Sequence, residues 1–103
     1  MSRADRKRDR VIALCEEMAG FMCRMGMQEA QPFYLRQAEA LRDEPTYLGR
    51  RRTYRTIYSA SNTGAGGMSD LHVVKPDGTG DVPTTDAYYR CLHALLRATR
   101  TFP

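Results

Sequence analysis

The clearest periodicity in the sequence lies in residues 11–25, VIALCEEMAGFMCRM. Its apolar residues recur at the i, i+3, i+4, i+7 spacing of an amphipathic helix, which places them on one face: Val11, Leu14, Cys15, Met18, Phe21, Met22 and Met25. Gly26 follows at once and accepts the left-handed conformation that often ends a helix. The pattern predicts a helix over residues 5–25 with one buried face.

Three further helices are predicted downstream. One begins at Pro32, whose missing N–H has no partner at a helix start, and runs to about Asp43. The next spans residues 46–59 with Thr46 as an imperfect N-cap, and the last begins at Thr84 or Thr85 and ends near Thr101. The side chains expected to face inward are Tyr34, Leu35, Ala38 and Leu41, then Tyr47, Tyr54 and Tyr58, then Tyr88, Cys91, Leu92, Leu95 and Phe102.

Between the last two helices, residues 59–67 are small, polar and glycine-rich, and residues 68–74 form a short extended pattern. A single strand makes no sheet, so this segment either pairs near Val82 or lies as extended coil over the helices. We therefore expect a mainly α fold, a small four-helix bundle-like domain with one short extended segment near residues 69–74. Residues 1–103 form a single domain in this interpretation, and residues 1–5 are frayed.

Length and apolar patterning exclude some classes of protein. No run approaches the roughly 18 apolar residues of a membrane-spanning helix. The apolar stretch at residues 11–15 is short and is followed by Glu16 and Glu17, unlike a secretory signal peptide, so we expect a cytoplasmic protein. Cys15 and Cys23 lie about 12 Å apart along one helix, too far for a disulfide, and are expected to be buried, reduced thiols.

The excess of positive charge comes almost entirely from arginine. The net charge is +4, and Lys7 and Lys75 are the only lysines among 16 basic residues. Either a GC-rich genome or recognition of carboxylate or phosphate explains this preference. The densest cluster, Arg50, Arg51, Arg52 and Arg55, alternates with tyrosines. It could bind RNA or single-stranded DNA, but the pattern favours a solvated charged face over an aromatic core contact.

No motif indicates catalysis, a cofactor or a metal. The glycine-rich loop lacks the lysine of a phosphate-binding loop. Ser69, Asp70 and His72 suggest a hydrolytic arrangement only by proximity, and His72 and His93 are too few for a metal site. We predict that the protein is not an enzyme and needs no cofactor.

Residues 66–73, GGMSDLHV, resemble a family of small bacterial domains that carry a Gly-Gly-Met-Gly-Ser-x-Asn-Asp-Leu stretch between helices. The resemblance extends from Tyr54 to Phe102. This chain lacks residues between Met68 and Asp70, and His72 stands within its apolar segment. Members of that family are often toxin immunity proteins, and the resemblance implies no catalytic residues.

The predicted function is therefore that of a cytoplasmic immunity protein that neutralises a bacterial toxin with an acidic surface. The partner-binding residues we expect are Arg50, Arg51, Arg52, Arg55, Asn62 and Asp70. A small nucleic-acid-binding regulator and a phage-encoded inhibitor of a host complex are the alternatives. The sequence leaves homodimerisation open, with Ile12 and Ala19 widening the first apolar face, and Met27 and Phe33 are candidates for an exposed apolar contact.

Overall fold

Four α-helices follow one another in a computed structural model that describes residues 2–63 and 67–101. They are α1 (Arg3–Arg24), α2 (Ala30–Asp43), α3 (Tyr47–Ser61) and α4 (Val82–Thr99), with one turn of 3₁₀-helix at Met68–Asp70. Within the described ranges the β structure is an isolated bridge between Val74 and Gly80. The predicted mainly α, four-helix fold is confirmed.

Both ends of α1 are fixed by local hydrogen bonds. The Ser2 hydroxyl accepts a hydrogen bond from the Asp5 backbone N–H at 3.0 Å, so the helix begins at Arg3. The expectation that residues 3–5 are frayed is therefore wrong, because they are helical. At the other end Gly26 has a φ of 74°, and the Met27 N–H donates to the Met22 carbonyl at 2.8 Å. This six-residue closure is the Schellman motif, which confirms the predicted role of Gly26.

The apolar face of α1 forms the centre of the core. It packs most extensively against α2 and also against α4. Its buried residues are Val11, Ile12, Leu14, Cys15, Met18, Ala19 and Met22. The sequence leaves open a dimer contact through Ile12 and Ala19. Both side chains are already buried by other residues of the same chain. Cys23 is exposed rather than buried, because eight residues rotate it by roughly 80° from Cys15 around the helix.

The second helix begins two residues before the predicted Pro32. Pro32 instead occupies the first turn, where its missing N–H removes no helical hydrogen bond. Tyr34, Ala38 and Leu41 are buried as predicted, but Leu35 is 43% exposed because it lies about 100° around the helix from Tyr34. The Tyr34 and Ser61 hydroxyls lie 2.8 Å apart in the core and join α2 to α3.

The third helix begins where the sequence predicts, with Thr46 as its N-cap. The Thr46 hydroxyl accepts from the Gly49 N–H at 3.1 Å. Tyr54 and Ile57 are buried, but Tyr47 and Leu48 are 68% and 73% exposed. The expected burial of Tyr47 is wrong, since the side of the first turn of α3 that carries Tyr47 and Leu48 is open to solvent.

The fourth helix is capped by Asp81 rather than by Thr84 or Thr85. The Asp81 carboxylate accepts from the Thr84 N–H at 3.2 Å and from its hydroxyl at 2.8 Å, which puts both threonines inside the helix. Pro83 fits the first turn because its absent N–H has no helical partner there. The predicted inward residues Tyr88, Cys91, Leu92 and Leu95 are buried, and Phe102 lies outside the described residues.

The segment before α4 is anchored to that helix. Residues 68–70 turn as a 3₁₀-helix rather than extending, and the Tyr88 hydroxyl donates to the Met68 carbonyl at 2.6 Å. Val73 is buried, and its N–H donates to the Thr85 hydroxyl at 2.9 Å. Of the two alternatives left open for this segment, the structure shows pairing near Val82: Val74 forms an antiparallel bridge with Gly80, and the turn between them contains Gly78 at a φ of 90°.

The buried pair Tyr34 and Ser61 should contribute to stability as a unit. We expect Tyr34→Phe to lower the free energy of unfolding by roughly 1–3 kcal/mol, because it leaves the Ser61 hydroxyl buried without this partner. In urea titrations, the double variant with Ser61→Ala should lose less stability than the two single losses added together. Strict additivity of the two losses would contradict the pairing.

The three cysteines should differ in their reactivity. Burial raises the pKa of Cys15 and of Cys91 to about 12, so neither forms thiolate near neutral pH, whereas Cys23 is exposed. A chromogenic disulfide reagent at pH 8 should modify one thiol in the native protein and all three in urea. Cys23→Ser should abolish the native reaction, and a rapid reaction that survives in this variant would contradict the assigned burial.

Candidate functional site

The six residues predicted to bind a partner do not form one cluster. Arg50 and Arg51 lie near the start of α3, whereas Asn62 is the C-cap at its far end, about 18 Å along the helix axis from Arg50. Asp70 is exposed in the 3₁₀ turn beyond that end. The four arginines therefore lie in the first nine residues of α3, whereas Asn62 and Asp70 lie at and beyond its far end.

Arg50 is occupied by contacts inside the protein. Its side chain is only 11% exposed, and its Nε donates to the Glu44 carbonyl at 3.0 Å. One of its terminal nitrogens donates to the Asp5 carboxylate at 3.2 Å. The pKa of Asp5 lies below its ordinary value, chiefly through the hydrogen bond with Ser2 and further through Arg50, so this carboxylate is ionised at neutral pH. Arg50 thus ties the start of α3 to the start of α1.

Arg51 has a different environment. Its guanidinium donates to the Thr101 carbonyl at 2.8 Å and to the Tyr47 hydroxyl at 3.3 Å. Both acceptors are neutral, and Arg51 forms no ion pair with a carboxylate in the part of the chain that the structure describes. Among the described residues, its positive charge is therefore not paired with a carboxylate. Arg52 and Arg55, on the neighbouring side of α3, are exposed.

A cavity of about 570 Å³ opens beside these residues. It lies where the first turns of α1 and α3 meet the chain that leaves α4. The described residues that line it are Ala4, Lys7, Pro45, Tyr47, Arg50, Arg51, Tyr54, Arg100 and Thr101. We call this cavity the basic–aromatic pocket. Four of its lining residues are cationic, none is acidic, and two are tyrosines.

Tyr54 and Lys7 form one side of the pocket. The Lys7 ammonium lies 4.8 Å from the centroid of the Tyr54 ring, the geometry of a cation–π contact. Tyr54 is 6% exposed, and burial raises the pKa of its hydroxyl while Arg50 opposes that rise. The ring therefore remains neutral and presents an apolar surface to the pocket.

Two acidic side chains lie next to the pocket and reduce the positive electrostatic potential at its lining. Asp5 neutralises Arg50 from the side of α1. Glu44 accepts hydrogen bonds from the Thr46 N–H at 2.9 Å and from its hydroxyl at 2.5 Å, which hold the pKa of Glu44 below its ordinary value. Lys7 and Arg51 therefore supply most of the positive charge that a ligand would meet, with Arg100 on the same lining.

The sequence pattern indicates some of the residues that line this pocket but not the others. The spacing of Tyr47, Arg51 and Tyr54 places them on one face of α3. The same pattern is typical of a face that packs in the core, which is the prediction made from the sequence. Lys7, Pro45 and Arg100 were missed because they come from three distant parts of the chain. Only the packing of α1 against the other helices brings them together.

Other chemistry-bearing residues do not converge on this site. Ser69, Asp70 and His72 are exposed in the segment before α4, and His93 stacks on Tyr89 with ring centroids 6.5 Å apart. Met27 is 39% exposed, whereas Phe33 is partly buried against the core. Across residues 2–63 and 67–101, no three histidine, cysteine, aspartate or glutamate side chains are grouped closely enough to hold a metal ion.

Comparison with protein-family models, with curated proteins and with solved structures finds no match to this chain. Among the helices of the described residues, none combines the length and apolar character needed to cross a membrane.

The start of α3, which positions Tyr47 and Arg51, depends on Glu44 and Gly49. A methyl group at position 49 would overlap the Glu44 side chain. Gly49→Ala should therefore raise the free energy of unfolding by the full amount, about 1 kcal/mol, in a variant that lacks the Glu44 side chain. Urea unfolding should show this gain in a Glu44→Ala background and a clearly smaller gain, or a loss, in the wild-type background. Equal gains in both backgrounds would contradict the contact.

The pH dependence gives a control for the role of Glu44. A carboxyl group whose pKa is lowered by folding stabilises the protein above its unfolded pKa, here 4.5, and this stabilisation disappears as the pH falls through the folded pKa. Glu44→Gln should therefore be less stable than wild type at neutral pH. The difference should shrink as the pH falls below about 4.5.

Proposed function

We propose that this chain is a non-enzymatic protein-binding module whose partner presents an acidic surface. The observation that carries the proposal is the concentration of positive charge around the first three turns of α3. Lys7 and Arg51 line the pocket without carboxylate partners in the described ranges, and exposed Arg52 and Arg55 extend the positive surface. Such a surface accelerates encounter with an acidic partner and fixes its orientation.

Within this class, we propose the role of an immunity protein that neutralises a cognate bacterial toxin in the cytoplasm. The resemblance of residues 66–73 and the helices around them to small bacterial immunity domains supports this role. An immunity protein needs a stable fold and a surface complementary to one toxin, and both can be built from about 100 residues. Its three free thiols suit a reducing compartment.

A nucleic-acid ligand is the second candidate, favoured by one specific feature. Tyr47 is 68% exposed beside Arg51, and an exposed ring next to a guanidinium can stack on a base. Arg50, however, is paired with Asp5 and is not available to phosphate. A phage-encoded inhibitor of a host complex is also a protein-binding role, and the identity of the captured partner distinguishes it from immunity.

The test begins with capture of the tagged chain from its native host after nuclease treatment, followed by titration of the purified partner. We expect the double variant Arg52→Glu and Arg55→Glu to bind the partner at least about tenfold more weakly than wild type. The matched control, Arg90→Glu with Arg97→Glu, reverses the same number of charges on exposed positions of α4 and should leave the affinity unchanged.

The same partner provides a functional readout. If the chain is an immunity protein, expression of the partner alone should arrest growth, co-expression with wild type should restore it, and co-expression with the α3 double variant should not. Undiminished affinity in the α3 double variant would overturn the proposed surface. Capture of nucleic acid alone, with binding that falls steeply as salt is added, would overturn the protein-binding function.

A further inference from the structure

We propose that the basic–aromatic pocket binds a short acidic segment of the partner protein, which inserts one aromatic or branched apolar side chain between flanking carboxylates. This inference rests on the proposed function and specifies its ligand. In this inference the interior of the pocket binds the apolar side chain, and the cations on its lining bind the carboxylates.

The interior of the pocket suits an apolar side chain. Ala4, Pro45 and the rings of Tyr47 and Tyr54 contribute carbon surface to its lining. Its volume of about 570 Å³ lies within the roughly 300–1,000 Å³ typical of pockets that enclose a compact ligand. Aromatic side chains are frequent anchors in such pockets, because they bury a large area at a small loss of conformational freedom. An apolar anchor therefore fits this space better than a wholly polar one.

The charges in the pocket suit carboxylates on either side of that anchor. Among residues 2–63 and 67–101, Arg51 donates to neutral oxygens, and Lys7 contacts the face of a ring, so both cations retain their attraction for an anion. A guanidinium can bind a carboxylate through two parallel hydrogen bonds, which fixes the ligand in orientation as well as in position. A ligand that carries both kinds of group would contact the cations and the apolar groups of the same lining.

Two features favour an acidic peptide over a nucleic acid at this pocket. The Lys7 ammonium already covers one face of the Tyr54 ring, so that face is not available to stack on a base. Asp5 and Glu44 stand next to the pocket as carboxylates, and both would repel the continuous negative charge of a phosphodiester chain. A peptide can place carboxylates at selected positions and neutral groups elsewhere.

The direct test uses a fluorescein-labelled pentapeptide, Ser-Asp-Phe-Asp-Ser, which carries carboxylates only beside the phenylalanine; it is titrated with the intact protein and followed by fluorescence anisotropy. We expect saturable binding, and about tenfold weaker binding when alanine replaces the phenylalanine of the peptide. Lys7→Gln and Tyr47→Ala should each weaken binding several-fold. Their matched controls are Lys75→Gln, an exposed lysine outside the pocket, and Leu48→Ala, the exposed neighbour of Tyr47, and neither should change the affinity.

A labelled 12-nucleotide single-stranded DNA serves as the competing probe. Tighter binding of this DNA than of the peptide, with competition between the two, would overturn the peptide assignment. Absence of peptide binding, or equal losses in the pocket variants and their controls, would also overturn it. Circular dichroism spectra of all four variants should match wild type, because every substituted side chain is exposed.

The captured partner separates this inference from the proposed function. If the pocket is the docking site, Lys7→Gln and Tyr47→Ala should weaken the complex with that partner as they weaken the complex with the peptide. If the partner binds these variants as tightly as wild type but loses affinity for the Arg52 and Arg55 double variant, the protein-binding function stands and the pocket is not its site.

Discussion

Burial of the apolar face of α1 is the constraint on which the rest of this structure depends. That face is too wide to be covered by one helix, so α2 packs along it and α4 covers the remainder. In this arrangement the first turns of α1 lie beside the start of α3. Asp5 then meets Arg50, and Lys7 meets the ring of Tyr54. The pocket is thus a geometric consequence of the packing of the core.

Hydrogen bonds within the core and at its margin select the particular arrangement of helices. An apolar face alone permits neighbouring helices to slide or rotate, because hydrophobic contact has little directionality. A buried hydroxyl does not permit this, because it must keep its partner or lose free energy. Tyr34 and Ser61 fix α2 against α3, and Tyr88 fixes α4 against the 3₁₀ turn at Met68. Within the described residues every buried side-chain nitrogen or oxygen has such a partner.

Some of the arginines form ion pairs within the protein, whereas others present their charge to a binding partner. Arg50 joins two helix starts, and Arg42 pairs with Glu16 of α1 and with Glu39 of its own helix, so neither contributes an open charge. Arg51 bonds neutral oxygens, and the exposed Arg52 beside it extends the positive surface. Formal charge in the sequence therefore overstates the charge that a partner would encounter. The proposed function depends on this smaller, localised set of cations rather than on the composition as a whole.

The number of helices and their approximate bounds could be predicted from the sequence, because helix periodicity, capping and termination depend on residues within a few positions of one another. The stripe after Val11, the stop at Gly26 and the cap at Thr46 are all of this local kind. The exposure of Tyr47 and the lining of the pocket by Lys7 were decided by tertiary structure alone. Whether a helix face is covered depends on helices distant in sequence, and one period of 3.6 residues describes a packed face and an open one equally well.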